Sequence, residues 1–412
     1  MLGSWGLSRC WAGMLMVLVL VTFPLWFGGV PSLRVPMFST LHLLPSWVQS
    51  IPGVVILAAC VAIIATAELQ RAWLWWIVAA AFCVSFVLNQ HRLQPWAYQS
   101  AIYAVVFATL DREMARRWLI PLAASVYLYS GLGKLDYQFA HTVGQNFLGA
   151  VDLPGIGNLA DRFEHNTLAM IALLLPLSEA LIAIGLLFRR TRRIAGGCVM
   201  LLHLSLVVML GPWNLDHSNG VLFWNILLII QAWFLFVKPI AEPRESSPLS
   251  SLSPSATAVA SADKSVAKRF AAAVVILAIV MPATERWGYW DHWTSWALYS
   301  PHSSRAEVQI HRSAMDQLPA DMPPFLVDDD SDGWHRLQLN LWSLDRLNVP
   351  IYPQARFQLA VASRVAHLYD LSDSVRVIVK GVADRRSGVR KEQRMMGRKE
   401  IDAALKHYWI AQ

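Results

Sequence analysis

Long apolar runs separated by short polar segments fill the chain as far as about residue 290. A helix needs about 20 predominantly apolar residues to cross the hydrocarbon core of a bilayer. The pattern predicts about nine membrane-spanning helices, of which the second and the fourth are rather short. The predicted spans are Trp11–Val30, Val54–Glu68, Ala72–Asn89, Trp96–Leu110, Trp118–Gly133, Leu168–Phe188, Ile194–Pro212, Val221–Val237 and Phe270–Arg286.

A polar interval separates the eighth predicted span from the ninth. Residues 241–268 include the run SSPLSSLSPSATAVASADKS, and such a composition is typical of a disordered linker. The chain therefore divides into a transmembrane bundle over residues 1–240, the linker, a last transmembrane helix over residues 269–290, and a C-terminal region over residues 291–412.

The C-terminal region has the pattern of a small water-soluble domain. Strand-like alternation occurs at Glu307–Arg312 and Leu337–Trp342, and Pro353–Tyr369 has the spacing of an amphipathic helix. Ser374–Val382 and Gly388–Met395 have the pattern of a hairpin. The predicted fold class is mainly α, a polytopic transmembrane helical bundle with a small C-terminal α+β extramembrane domain.

Composition supports this division and excludes several kinds of protein. The chain is 55% apolar and 15% charged, whereas soluble domains have about 25% charged residues. The net charge of +7 reflects basic residues in the loops between spans. We therefore expect the protein to lie in a lipid bilayer and to have no nucleic-acid partner. The four cysteines lie in or beside apolar runs without a Cys-x-x-Cys spacing, which predicts neither disulfides nor a metal site.

The basic clusters orient the predicted bundle. If the N-terminus is cytoplasmic, every cluster lies on the cytoplasmic side, as the positive-inside rule requires. The C-terminal domain is then periplasmic or lumenal. The clusters are Arg112, Arg116 and Arg117; Arg189, Arg190, Arg192 and Arg193; Lys238; and Lys264, Lys268 and Arg269.

Unusual polar residues gather at the outer end of this bundle, where a functional site in a membrane protein is best sought. Three outer segments carry them, after the third span, at the end of the fifth, and between the seventh and the eighth. Each residue taken alone is also explained by contact with interfacial water. The candidates for a site are Asn89, His91, Lys134, Asp136, Asp216 and His217.

Lys134 departs from the charge rule because it ends a helix on the non-cytoplasmic side. Poor solvation beside Gly133 and Leu135 disfavours its ammonium form and makes a neutral amine available as a general base. The alternatives are a lysine that reaches the lipid headgroups and a simple ionic partner for Asp136.

Glu179 and His203 form a second, deeper set. Each lies nine positions from the cytoplasmic end of its predicted span, which places both about 13 Å deep on neighbouring helices. We therefore predict an intramembrane Glu179–His203 pair, which is more readily explained as a structural pair than as a proton relay.

The segment YLYSGLGKLDYQF around Lys134 resembles the membrane domain of vitamin K-dependent gamma-carboxylase, which is shared with the bacterial HTTM (horizontally transferred transmembrane) proteins. The resemblance covers roughly residues 70 to 305. It implies that Lys134 deprotonates a reduced quinone and that His91, in Asn89-Gln90-His91, supports the reactive site. Trp293–Pro301 is similar to the exit from the last span of HTTM proteins, and Leu173–Gly185 with the His203 helix is similar to DoxX and MauE membrane proteins.

Two functions from different classes follow. The first is a quinol-dependent oxidase or epoxidase in which Lys134 is the base, His91 stabilises the anion, and Asp136, Asp216 and His217 line the site. The alternative is a non-catalytic, DoxX-like membrane subunit that binds a periplasmic protein partner through its C-terminal domain. A third interpretation, metal binding by His91, Asp216 and His217, has suitable ligand types but requires their loops to meet.

Overall fold

The computed structural model describes residues 6–66, 71–150, 152–153, 157–239, 257–329 and 331–408. Its first part is a bundle of helices, and a small sheet with helices follows at one end. The helices of the first part are α1 (Gly6–Val21), α2 (Phe23–Phe27), α3 (Ser46–Ala65), α4 (Ala72–Leu88), α5 (Pro95–Thr109), α6 (Arg112–Lys134), α7 (Tyr137–His141), α8 (Val143–Gly149), α9 (His165–Leu187), α10 (Arg192–Leu210), α11 (Asn219–Ala232) and α12 (Thr257–Val280).

Five helices among the described residues are long and apolar enough to cross a membrane. Their mean hydropathy lies between 1.9 and 2.3, and much of their surface is left exposed by the fold, as expected for helices that face lipid. α1 and α4 are apolar but shorter. These features are those of an integral membrane protein. The five are Ser46–Ala65, His165–Leu187, Arg192–Leu210, Asn219–Val237 and Ser265–Trp287.

The first two predicted spans have different bounds in the structure. The run predicted as Trp11–Val30 is not one helix, because α1 ends at Val21 and the five-residue α2 follows with a proline at its start. The run predicted as Val54–Glu68 belongs to α3, which begins eight residues earlier at Ser46 and contains Pro52. Membrane helices tolerate such a proline, so it is a poor stop signal.

The predicted linker is too long at its C-terminal end. α12 begins at Thr257, so residues 257–268 are helical rather than disordered, and residues 240–256 lie outside the described part of the chain. The helical stretch TAVASADKSVAKRF is rich in alanine and lysine, two of the strongest helix formers. Its serines resemble those of a linker, but helix propensity decides the local structure.

The C-terminal domain is built on one antiparallel sheet with the strand order β4–β5–β3–β6–β7. The predicted hairpin is confirmed by β6 and β7. Separately, β1 (Asp152–Leu153) pairs with β2 (Gly157–Asn158) beside the bundle. The elements of the domain are β3 (Arg305–His311), β4 (Leu326–Asp328), β5 (Trp334–Leu337), α13 (Leu339–Leu347), α14 (Ala355–Leu368), β6 (Val375–Lys380), β7 (Glu392–Met396) and α15 (Gly397–Leu405).

The predicted strand Leu337–Trp342 is wrong. β5 ends at Leu337, and the residues after it form α13, whose buried residues Leu339, Trp342 and Leu347 recur with helical rather than alternating spacing. The predicted helix Pro353–Tyr369 is confirmed as α14. This helix packs on β3 and β6, and together they form an apolar core that includes Val308, Ile310, Phe357, Val361, Val365, Val375 and Val377.

The domain rests directly on the end of the bundle. The Tyr137 backbone N–H donates to the Arg385 carbonyl at 2.8 Å, and Gln138 donates to the Gly388 carbonyl at 3.1 Å. Gly388 has a φ of +70°, and a Cβ there would lie 2.7 Å from the Tyr137 ring. Both the backbone conformation and the close approach therefore require glycine at this contact.

Candidate functional site

The site begins with an unusually close contact between α6 and α9. A Cβ on Gly131 would lie only 2.6 Å from the Pro176 carbonyl oxygen and 3.0 Å from the Ala180 nitrogen. Small residues allow membrane helices to approach in this way. The contact brings the end of α6, with Lys134, against the middle of α9, with Glu179.

Lys134 and Glu179 form a buried ion pair. The Lys134 Nζ lies 2.6 Å from Glu179 Oε1 and 2.7 Å from Oε2, and it also donates to the Ser130 hydroxyl at 3.0 Å. The two residues are 3% and 8% exposed. Because the three partners surround the ammonium group, Lys134 neither extends to the surface nor binds Asp136, which removes both simple alternatives for this lysine.

The predicted Glu179–His203 pair is wrong, because each residue binds other partners. His203 Nε2 lies 2.9 Å from the Tyr127 hydroxyl, and Nδ1 lies 2.7 Å from Asn225 Oδ1. The Asn225 amide nitrogen donates to the Val221 carbonyl, so its oxygen faces His203 and assigns the proton of the ring to Nδ1. Nε2 is then the acceptor for the hydroxyl of Tyr127. An equal predicted depth in the membrane does not determine which of the residues at that depth bind one another.

The Lys134–Glu179 pair and the hydrogen-bonded residues around His203 line one cavity of about 500 Å³, which we call the Lys134 cavity. Its volume is in the range of sites for small molecules, and most of its wall is apolar. Residues of both the bundle and the C-terminal domain line it. Residues that define it are Tyr127, Ser130, Lys134, Glu179, His203 and Asn225 on the bundle, and Tyr299, Ser300, Arg305, Pro350 and Gln358 nearer the domain.

Two hydroxyls in this wall have no hydrogen-bond partner among the described residues. The buried hydroxyl oxygens of Tyr299 and Ser300 are unsatisfied, although almost every buried polar group in a folded protein has a partner. Burial raises the pKa of the Tyr299 hydroxyl, so it remains a hydrogen-bond donor at neutral pH. Both residues line the cavity with a hydroxyl donor that is not used.

Asn89 and His91 lie elsewhere. The His91 ring is completely buried under the C-terminal domain, with Nε2 3.1 Å from the Pro350 carbonyl oxygen and Phe357 packed edge-on. Burial lowers the pKa of His91 to about 4. Asn89 accepts hydrogen bonds from the backbone N–H groups of Val35 and His91 and so shapes the turn. His91 does not line the Lys134 cavity, so the structure does not bring His91 and Lys134 together there.

The predicted site residues Asp216 and His217 lie in different environments. His217 lines the Lys134 cavity and lies against Tyr299, and burial lowers its pKa. Asp216 is exposed, with a φ of +45°, and does not line the cavity. Because His91, Asp216 and His217 occupy three different environments, they do not form the metal site considered from the sequence.

Asp136 belongs to a second buried cluster, which we call the His302 cluster: Asp136, Glu285, His292 and His302. Asp136 caps the N-terminus of α7 through the Phe139 N–H and pairs with Arg286 at 3.0 Å. Within the described residues, Glu285, His292 and His302 form the one group of three whose ligand atoms lie close enough to share a metal ion. The spacing of these three residues in the chain matches no common metal motif, so the sequence alone did not indicate them.

Several residues of the Lys134 cavity were also missed. Ser130 lies one helical turn before Lys134, and this spacing was the one available signal for a contact between them. Tyr127, Asn225, Tyr299 and Ser300 carry no such signal, because they come from three separate segments that meet only in the fold.

Comparison with known proteins identifies no relative. No protein-family model matches the chain, and neither the curated proteins nor the solved structures gave a match. The resemblance to the carboxylase membrane domain therefore depends on the sequence motifs alone.

Proposed function

We propose that the protein is a membrane enzyme that binds a lipid-soluble reduced quinone in the Lys134 cavity and removes a proton from its hydroxyl group. The observation that carries this proposal is the buried Lys134–Glu179 pair in the wall of a mainly apolar cavity of about 500 Å³. A flat aromatic molecule with two hydroxyl groups suits such a wall, because the apolar surface takes the rings and the few polar groups orient them. The motif resemblance to the HTTM proteins supports the same substrate class.

The base in this proposal is a pair rather than a lone lysine. When a proton of the pair resides on Glu179, Lys134 is a neutral amine that accepts the hydroxyl proton of the quinol. The resulting ammonium group then lies beside the new anion and stabilises it, since charges interact strongly away from water. Glu179 thus makes the amine available without leaving an unpaired buried charge.

The unsatisfied hydroxyls complete the site. Tyr299 and Ser300 donate hydrogen bonds to quinol oxygen atoms, which removes the cost of their unpaired state. Tyr127 donates to His203, so its oxygen remains free to accept a hydrogen bond from the ligand. His203, with its proton assigned to Nδ1, holds Tyr127 in place.

The overall reaction uses molecular oxygen as the oxidant. A naphthohydroquinone loses its two hydroxyl hydrogens and reacts with one O₂; one oxygen atom enters the ring as an epoxide and the other leaves as water. The protein's part is to generate the quinol anion, and a well-placed base contributes roughly 10²- to 10⁴-fold to such a step.

The test measures quinone epoxide by mass spectrometry after membranes with wild-type protein or variants receive reduced naphthoquinones and oxygen. We expect Lys134→Ala and Lys134→Arg to lose at least about 100-fold in rate, because arginine keeps a positive charge but does not release its proton. Lys238→Ala is the matched control, a lysine that follows α11 outside the cavity and packs on Phe234.

Absence of epoxide with folded wild-type protein would contradict quinol epoxidation for the naphthoquinones tested. It would favour the alternative, a membrane subunit that binds a periplasmic partner. Equal activity of wild type and Lys134→Arg would leave the cavity as a binding site and reject the proton transfer.

We infer the finer topology from charge. Nine spans with a cytoplasmic N-terminus place the basic loops on one side of the membrane and the C-terminal domain on the periplasmic or lumenal side. Three of these basic loops surround one cavity of about 1020 Å³, which supports a common side. In a variant without native cysteines, we expect a membrane-impermeant thiol reagent applied from outside to label Tyr289→Cys and not Arg189→Cys; the reverse labelling would invert the orientation.

A further inference from the structure

The His302 cluster lies at the end of α12, where the bundle meets the C-terminal domain. Glu285 follows α12 in a 3-10 turn (Met281–Trp287), and His292 and His302 belong to the irregular segment 288–304. His292 is 2% exposed and His302 is fully buried. Three ligand-forming side chains are thus enclosed together outside the Lys134–Glu179 pair.

The ligand atoms converge on one point. The Glu285 carboxylate lies 2.9 Å from His292 Nδ1 and 3.0 Å from His302 Nε2. One ligand atom from each residue lies within 4.8 Å of the other two. Ligands of a tetrahedral zinc ion, with bonds of about 2.0–2.1 Å, lie about 3.4 Å from one another. Small side-chain shifts therefore suffice to admit an ion between them.

The far nitrogen of each ring faces an acceptor. His292 Nε2 lies 2.9 Å from the Ser300 carbonyl oxygen. His302 Nδ1 makes no well-aligned hydrogen bond, but it lies 3.3 Å from Asp136 Oδ2 as an ion-pair contact. An acceptor at the far nitrogen fixes the proton there and leaves the near nitrogen with a free lone pair. Metal-binding histidines almost always have this arrangement.

The near nitrogens of both rings face the Glu285 carboxylate, so three ligand atoms surround one enclosed point. A single divalent ion at that point satisfies all three ligands at once.

We propose that Glu285, His292 and His302 bind one divalent transition-metal ion, most simply zinc, and that Asp136 orients His302. Two imidazoles and one carboxylate form a ligand set that zinc commonly accepts. The ion joins the end of α12 to the segment 288–304, and Asp136 extends the connection to α7. The proposal is independent of the proposed quinol chemistry.

The bound ion has a consequence for the Lys134 cavity. His292 and His302 flank the stretch that carries Tyr299 and Ser300 into the cavity wall, and His292 itself borders the cavity. With both ends held by one ion, the wall keeps its shape when no ligand is bound. The metal in this proposal is a positioning device for that wall.

The test uses the purified full-length protein, treated with a chelator and then dialysed against zinc before metal analysis. We expect one zinc per chain in the wild type, a loss of that zinc in His292→Ala/His302→Ala, and a higher thermal midpoint of the wild type with zinc than without. The matched control is His141→Ala/His165→Ala, since His141 Nδ1 and His165 Nε2 lie 2.9 Å apart on the exposed surface and could bind zinc adventitiously.

A milder variant keeps the test decisive if the double variant does not fold. Asp136→Asn preserves the helix cap but weakens the hold on His302, so we expect the zinc dissociation constant to rise about 10- to 100-fold. Wild-type protein without stoichiometric zinc would overturn the proposal. Loss of the bound zinc in His141→Ala/His165→Ala would also overturn it. An unchanged zinc dissociation constant in Asp136→Asn would do the same.

Discussion

Lys134 and Asp136 are two residues apart in the chain, yet they belong to two different buried clusters. Lys134 pairs with Glu179 in the wall of the Lys134 cavity, and the same wall carries two hydroxyls that have no partner within the described part of the chain. Asp136 faces Arg286 and His302 in a cluster where charged groups mainly meet one another. The separation arises because α6 ends at Lys134 and Asp136 already caps α7. Buried charge beside empty space suits a ligand or a reaction, whereas buried charge that is enclosed suits a fixed structure.

The largest expected effect comes from removal of one partner of the cavity pair. Glu179→Gln leaves the buried Lys134 ammonium without its carboxylate, and loss of one partner of a buried pair costs about 3–5 kcal/mol. The double variant Lys134→Met/Glu179→Leu removes both charges, so we expect near wild-type stability with no activity. Thermal unfolding in detergent would measure both. A double variant as unstable as Glu179→Gln would mean that the pair itself holds the two helices together.

His91 sharpens the comparison, because it is a buried ring that faces a backbone carbonyl rather than a carboxylate. Its pKa of about 4 lies below the value of about 6.5 in an unfolded chain, so the unfolded state binds a proton that the folded state excludes. The stability it contributes is present above pH 6.5 and is lost as the pH falls from 6.5 to 4, by about 3 kcal/mol in all.

The measurement is the thermal midpoint of wild type and His91→Gln between pH 7.5 and 4.5. Glutamine keeps a donor for the Pro350 carbonyl but does not titrate. The free energy of unfolding of the wild type should therefore fall by about 2–3 kcal/mol more than that of the variant over this range, which lowers its thermal midpoint more. Parallel pH profiles would contradict the burial of a neutral His91.

A smaller effect is expected from the close contact that supports the cavity pair. Gly131→Ala places a Cβ 2.6 Å from the Pro176 carbonyl oxygen, and such overpacking costs about 1–3 kcal/mol. It also moves α6 away from α9 and lowers activity. Gly197→Ala in α10 is the matched control, because a Cβ there meets nothing within 4 Å and alanine favours the helix. Equal stability of the two variants would show that the helices adjust freely.

The sequence was most informative where a property depends on neighbours in the chain. Apolar runs predicted the helices, and the membrane setting follows from the length and composition of five of them. Helix ends were less predictable, since Pro52 lies inside α3 and the Ala-rich start of α12 has the serines of a linker. For the site, the sequence identified Lys134, Glu179 and His203 as unusual, but it paired the last two with each other.

Sequence by itself thus determined the membrane location, the helical character of the bundle and the separate C-terminal domain, because hydrophobicity and helix propensity act over short stretches of chain. Only the tertiary structure decided that Lys134 binds Glu179, that His91 is enclosed by the C-terminal domain, and that Glu285, His292 and His302 converge. These contacts join segments distant in the chain, and their geometry depends on helix approach at Gly131 and on the docking of the domain. Burial, which gives each of these polar groups its chemistry, is a property of the folded whole.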